Sequence, residues 1–315
     1  MYYSGIDLHT DNSYFTTQDD TGSVVKQERT DNVEQDILAY FRSLPGPHIA
    51  VVESTSGWYW LNDLLEANGI ELVLAHAKYL KAIAYAKVKT DKVDSQTLAT
   101  LLRQNLIPRA HKISRELRGL RDTMRLRLRL VQQRTACLRR IDSIRVKFNT
   151  AAVPDPYRFQ LSVLDHTRDT FTNQILALEK SLHPVLIPND DIQHLLAVPG
   201  IGKLTAIELL VELQDMSRFT SAEGLASYIG LTPAEYSTGE RTRQGRITRC
   251  GNKRARTYLV ESTWVLITKD PYLRAKYLRL KSLRGGKRAV IAIARKLLIR
   301  LRRMLLDNVP YRMAA

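Results

Sequence analysis

Apolar and polar positions change their period several times along this chain, and each change marks an element. Tyr2 to His9 alternates around Ile6 and Leu8 and reads as a strand. Ser13 to Gln18 and Ser23 to Arg29 follow as strands, with Asp19-Asp20-Thr21-Gly22 as the turn between them, so the chain opens with a three-strand meander. Asp31 is placed to cap a helix running to about Leu44, which Pro45-Gly46-Pro47 ends. His48 to Glu53 is apolar through Ile49-Ala50-Val51-Val52, as in a strand buried on both faces. A helix from Trp58 to Ala67, a fifth strand from Ile70 to Ala75, a lysine-rich connection and a helix from Asp91 to Gln104 complete this part. Strands that first meander and then alternate with helices predict an α/β fold, a mixed sheet with helices on its faces.

The remainder is mainly helical. Ile107 to Thr150 reads as one long helix despite a two-residue alternation at Arg125, Arg127 and Arg129, because turn residues are missing over its length. Pro154-Asp155-Pro156 breaks it, and a second helix from about Tyr157 to Leu182 predicts an antiparallel hairpin or a dimerising arm. Leu195 to Ala206 resembles a helix-hairpin-helix module, with Gly200 and Gly202 allowing a tight turn and Lys203 opening a helix whose free amides suit a phosphate. Thr220-Ser221-Ala222-Glu223 has capping-box spacing for a short helix ending near Gly230. Thr257 to Thr268 and Ala289 to Leu306 are amphipathic, with Ser282 to Lys287 as a basic turn. These patterns divide the chain into three expected domains, at 1–106, 107–184 and 185–315.

Charge sharpens this division. The 315 residues carry 48 Lys and Arg against 32 Asp and Glu, a formal net charge of +16. Residues 1–100 hold 8 basic and 14 acidic side chains, and residues 148–235 hold 5 and 11. Residues 101–147 hold 14 and 3, and residues 236–303 hold 20 and 3. Two basic blocks between acidic segments predict two surfaces for a polyanion, with Arg118, Arg121, Arg125 and Arg129 as the candidates in the first block. The two cysteines, Cys137 and Cys250, lack metal-ligand spacing. No apolar run is long enough to span a bilayer and the start has no leader pattern, so the expectation is a cytoplasmic protein with no membrane partner.

The candidate chemistry lies in two places. Asp7 sits within an apolar strand, where a carboxylate is costly to bury without a partner. Glu53 ends the fourth strand, and Asp91 and Asp94 fall at i and i+3 on one helical face. Together these hard oxygen donors suit a divalent cation. In the second place, Tyr236 to Arg254 combines Ser237 and Thr238 with glycines and with Arg241, Arg243, Arg246, Arg249, Lys253 and Arg254. Such a segment reads as a basic loop that grips a nucleic-acid backbone, or as a site where Ser237 attacks phosphorus. The residues alone do not choose between these, nor between Ser237 and Thr238.

The succession Gly5-Ile6-Asp7, Val51-Val52-Glu53 and Lys89-Thr90-Asp91-Lys92-Val93-Asp94-Ser95 resembles the DEDD site of RuvC-type junction resolvases, on a ribonuclease-H-like fold. It resembles still more the N-terminal domain of the insertion-sequence-110 family of transposases. Leu231 to Glu240, Gln244 to Thr248 and Gly251-Asn252-Lys253 are similar to that family's C-terminal signature. The resemblance implies a site-specific recombinase that moves its own element, with Ser237 as nucleophile and with Asp7, Glu53, Asp91 and Asp94 holding Mg²⁺ or Mn²⁺. It further implies donor and target DNA, a structured bridge RNA and a dimer or tetramer. The alternatives are a metal-dependent junction endonuclease and a non-catalytic nucleic-acid-binding protein.

Overall fold

In the computed structural model, which describes residues 1–55, 57–83, 90–148, 153–186, 189–238, 241–248 and 250–313, the chain divides into two units, Met1–Lys112 and Ile113–Ala315. The second takes in both the long helical pair and the C-terminal segment.

The first unit is built on a five-stranded mixed sheet. The meander is β1 (Tyr2–Leu8), β2 (Asn12–Gln18) and β3 (Val24–Asp31). Then come α1 (Glu34–Arg42), β4 (His48–Glu53), α2 (Trp58–Ala67), β5 (Glu71–Ala75), α3 (Ala77–Ile83) and α4 (Asp91–Arg103). The strand order is β3-β2-β1-β4-β5, with β1 antiparallel to β2 and parallel to β4, and β4 parallel to β5. The central strand β1 is therefore the one that carries Asp7. Asp31 does not cap α1. It closes β3, and Val33 stands at the N-cap with no side-chain hydrogen bond. The lysine-rich connection, read as a linker, contains α3, because Leu80 packs beneath Val51, Val73 and Leu102.

The second unit begins with α5 (Arg115–Phe148) and α6 (Asp155–Ser181). These lie antiparallel, since Arg127 Nε donates to Glu179 Oε1 at 2.6 Å near one end and the rings of Phe148 and Tyr157 stand 4.6 Å apart at the other. Next are α7 (Asp190–Leu196), α8 (Lys203–Leu213) and α9 (Ala222–Ile229), then a hairpin of β6 (Pro233–Thr238) and β7 (Arg241–Ile247). Three helices follow, α10 (Lys253–Lys269), α11 (Pro271–Arg284) and α12 (Gly286–Leu306). Ser282 to Arg284, expected in a turn, are helical, and the break falls at Gly285 (φ 78°). Along α12 a stripe of Ala289, Val290, Ile293, Ala294, Leu297, Leu298, Leu301 and Met304 is buried, the spacing that seats one helical face on a core. α8 is buried all round from Ala206 to Leu213 and forms the centre of this unit. No helix among the described residues is long and apolar enough to cross a membrane.

Candidate active site

The acids of the first unit meet because one glycine lets a helix lie flush on the central strand. A Cβ on Gly5 would stand 2.0 Å from the Ser95 carbonyl oxygen and 2.5 Å from the Ala99 amide nitrogen, so no side chain fits between β1 and α4. Ser95 Oγ and Thr16 Oγ1, 2.7 Å apart and buried, hold the helix in register on the sheet. Thr90, not Asp91, caps α4, its side chain accepting from the Val93 amide, which places Asp91 and Asp94 in the first turn. Those two acids therefore hang over the end of β1.

There Asp7 meets a residue that the reading of the sequence passed over. His9 Nε2 lies 3.4 Å from Asp7 Oδ2 and 3.5 Å from Asp91 Oδ2. One donor atom each from Asp7, His9 and Asp91 all fall within 4.8 Å of one another. The signal for His9 was present as Asp7-Leu8-His9, since i and i+2 share a face of an extended chain. Burial raises the Asp7 carboxyl above the ordinary range; His9 draws it down, and Asp91 and then Asp94 push it up again. Glu53 ends β4 one residue past the Ile6/Val52 pair, at the level of Asp7 on the adjoining parallel strand. A half-buried carboxylate that repels its neighbours, beside an imidazole, is a donor set that fits a divalent cation.

In the second unit the segment around Ser237 is a β-hairpin rather than the loop that its composition suggested. Ser237 pairs with Thr242 and Thr238 with Arg241, and residues 239 and 240 between them lie outside the described residues. Arg243 pairs with Tyr236, Arg246 is exposed farther down β7, and Arg249 lies outside the described residues. Two glycines pin the base of the hairpin to the end of α9. A Cβ on Gly230 (φ 78°) would lie 2.2 Å from the Cys250 carbonyl oxygen, and one on Gly251 (φ 114°) would lie 2.4 Å from that of Tyr228. Asn252 then caps α10, its Oδ1 accepting from Ala255 N and its Nδ2 donating to Glu212 Oε2 at 2.6 Å.

Glu212 is the hub of a buried ionic cluster. Arg121 donates to it through Nε and Nη2, both at 3.3 Å, Arg125 Nη2 does so at 3.3 Å, and Arg254 Nη1 stands 4.0 Å away. Burial pushes its carboxyl up, but Arg121, Arg125 and Asn252 hold it below the usual range. One turn earlier, Glu208 is pushed up to about 7 by burial and by Glu212, against the pull of Arg254, Arg125 and Arg121. The expected nucleic-acid stripe is thus divided: Arg121, Arg125 and Arg254 turn toward Glu212, Arg118 is buried, and Arg129 and Lys253 are exposed. The helix-hairpin-helix turn divides in the same way. A Cβ on Gly200 would strike the Ser262 carbonyl oxygen at 2.5 Å, so this glycine serves packing on α10, whereas Gly202 has open surroundings and Lys203 is exposed.

Known proteins share both halves of this arrangement. The transposase family of DEDD type from the IS110 group matches residues 4–148, and the transposase IS116/IS110/IS902 family matches residues 192–278. A probable family 20 transposase of Pseudomonas aeruginosa is 26% identical over 255 residues, 72% of this chain and 73% of that one. The transposase for insertion sequence element IS1111A of Coxiella burnetii is 24% identical over 317 residues, 93% of this chain and 86% of that one. A pilin gene-inverting protein of Moraxella bovis is 31% identical over 149 residues, 45% of this chain and 46% of that one. A DEDD domain implies use of a divalent metal. The chain belongs to the IS110 family of transposases, enzymes that cut and rejoin DNA.

Proposed function

We propose that this transposase moves its element by conservative strand exchange through a Ser237–DNA phosphodiester, with Mg²⁺ at Asp7, Glu53, Asp91 and Asp94 and with a bridge RNA choosing the sites. The observation that carries the reading is the convergence of Asp7 and Asp91, from the central strand and a distant helix, on one point. Their carboxylates, with Glu53 and Asp94, would hold the cation and orient it toward a phosphate. When bound there, the cation supplies Lewis-acid stabilisation of charge on phosphate oxygens.

The chain's own part is nucleophilic. The Ser237 oxygen forms a bond to phosphorus as the phosphorus–oxygen bond to one deoxyribose breaks. The serine proton ends on the departing sugar hydroxyl, so one phosphodiester replaces another and no free energy is lost to hydrolysis. Attack by a sugar hydroxyl of the partner strand reverses the step and frees the serine. Support comes from the position of Ser237 on β6, across from a strand with Arg241, Arg243 and Arg246. The name of the pilin gene-inverting relative, which describes inversion of a gene, is in keeping with this reading. Base pairing by an RNA suits a protein whose basic blocks suggest backbone contacts, not base readout.

The test is to express the gene with its native flanking DNA, sequence the RNA that copurifies, and add DNA carrying the element's ends. A protein–DNA adduct stable to denaturation, absent in Ser237→Ala and kept in Thr238→Ala, is the expected result. Cleaved ends without an adduct in the wild type would replace this reading with a metal-dependent nuclease. Bulk cellular RNA released by salt, in place of one discrete species, would remove the guide.

A further inference from the structure

The DEDD reading assigns four carboxylates to the metal, yet a nitrogen donor also stands close to both Asp7 and Asp91. His9 Nε2 stands almost equidistant from Asp7 Oδ2 and Asp91 Oδ2, at 3.4 and 3.5 Å. Donors around one cation with bonds of about 2.1 Å lie roughly 3 Å apart when adjacent and roughly 4.2 Å apart when opposite. The donor atoms of Asp7, His9 and Asp91 lie within 4.8 Å of one another, so shifts below an ångström seat all three in one coordination sphere. Nor is the grouping an accident of loose surface chains. Asp7 lies near the end of the central strand and His9 one residue past it, and Asp91 is carried by the helix that Gly5 and the Thr16–Ser95 bond fix against that strand.

We propose that His9 binds, through Nε2, the same divalent cation as Asp7 and Asp91, and thereby biases the site toward first-row transition metals. This rests on the reading of the acidic cluster as the metal centre and adds the identity of a ligand to it. The bias follows from donor chemistry. Sites of carboxylate and water suit Mg²⁺, which takes oxygen donors, whereas imidazole suits the later divalent ions. Mn²⁺ accepts both kinds of donor, so a mixed site gains affinity for Mn²⁺ from the imidazole while Mg²⁺ gains little. The imidazole is half exposed at the edge of the site, and ligation needs only its neutral form with a lone pair on Nε2.

The experiment uses Mn²⁺ as probe on the purified full-length protein. Electron paramagnetic resonance counts bound Mn²⁺, and electron spin-echo modulation detects a ¹⁴N nucleus in direct contact with it. The expected result is bound Mn²⁺ with ¹⁴N modulation in the wild type. In His9→Gln the modulation is lost and Mn²⁺ affinity falls about tenfold, with Mg²⁺ competition changed less than about threefold. Mn²⁺ bound without ¹⁴N modulation in the wild type overturns the role of His9, and that measurement needs no variant to fold. Modulation that persists in His9→Gln overturns it too, since another residue then supplies the nitrogen. Asp7→Asn separates this from the parent reading: if Mn²⁺ binds it as tightly as it binds the wild type, or the wild type binds none at all, the cluster is no metal centre and both readings fall.

Discussion

Asp7 and Glu212 are both carboxylates held in place by packed elements, but burial, with Asp91 and Asp94 beside it, raises Asp7 against the pull of His9, whereas Arg121 and Arg125 lower Glu212 against its burial. At Glu212 the charge is matched from three directions, including the N-cap of α10, so the cluster ties α5, α8 and α10 together. At Asp7 like charges are brought together by a backbone contact too close for any side chain at Gly5, and His9 pulls against them. The first arrangement is what a fold does with buried charge; the second is one that a bound cation would stabilise. That difference separates the residues expected to matter for chemistry from those expected to matter for folding.

The largest effect that would break the comparison is that of Asp7→Asn. Strand exchange should fall by at least about a thousandfold, roughly 4 kcal/mol, in a recombination assay. The melting temperature should hold or rise, because burial, with Asp91 and Asp94, disfavours the charged carboxyl more than His9 favours it. A clear drop in melting temperature would place Asp7 among the structural acids instead. Glu212→Ala should do the reverse. Leaving the part-buried Arg121 and Arg125 without their anion costs about 3 kcal/mol, below the upper range for fully buried pairs, read as a fall of several degrees in thermal melting. A loss below about 1 kcal/mol would mean that these arginines find water or another acid.

Glu208 sharpens the contrast through pH. Its folded pKa of about 7 lies above the unfolded value near 4.5, so the folded state holds the proton more tightly. Stability should therefore fall as pH rises from about 4.5 to 7 and level off above that. The loss is at most about 3 kcal/mol. Glu208→Gln should abolish this slope and melt higher than the wild type at pH 8; an unchanged slope would show that Glu208 ionises freely. The smallest effect concerns Arg129, an exposed arginine of α5. Arg129→Ala should leave melting within about 0.5 kcal/mol, weaken nucleic-acid binding a few-fold and reduce the salt dependence by about one ion. Equal loss of binding on every DNA or RNA sequence is the outcome expected of a backbone contact.

Much of the first unit was legible because its signals are local. α2 runs from Trp58 to Ala67 as the apolar spacing and Asn68-Gly69 indicate, whereas in the second unit the N-cap of α9 is Ser221, one residue past the Thr220 to which the Thr220–Glu223 capping-box spacing points. The order of Asp7, Glu53, Asp91 and Asp94 was readable for the same reason, since each sits at an element's end or face. Other features depend on partners far along the chain. Arg121 and Arg125 look like a basic stripe until Glu212 is seen beside them, and Gly200 looks like a phosphate turn until Ser262 is seen against it. His9 looks like a solvated residue until α4 brings Asp91 to it.

By itself, then, the sequence determined the strands of the first unit, the long helices and the presence of four acids and a serine in a family's pattern, but not α3, α11 or the β6–β7 hairpin, because period, capping and turn chemistry act over a few residues. Tertiary structure alone decided that Ser237 stands on a paired strand, that His9 joins the acids and that half of the first arginine set is spent on Glu212. The physical reason is the same in each case. A charge or an unpaired strand is neutral in meaning until packing selects its partner, and that choice is made by the buried surfaces of β1, α4, α8 and α10, not by neighbours in the chain.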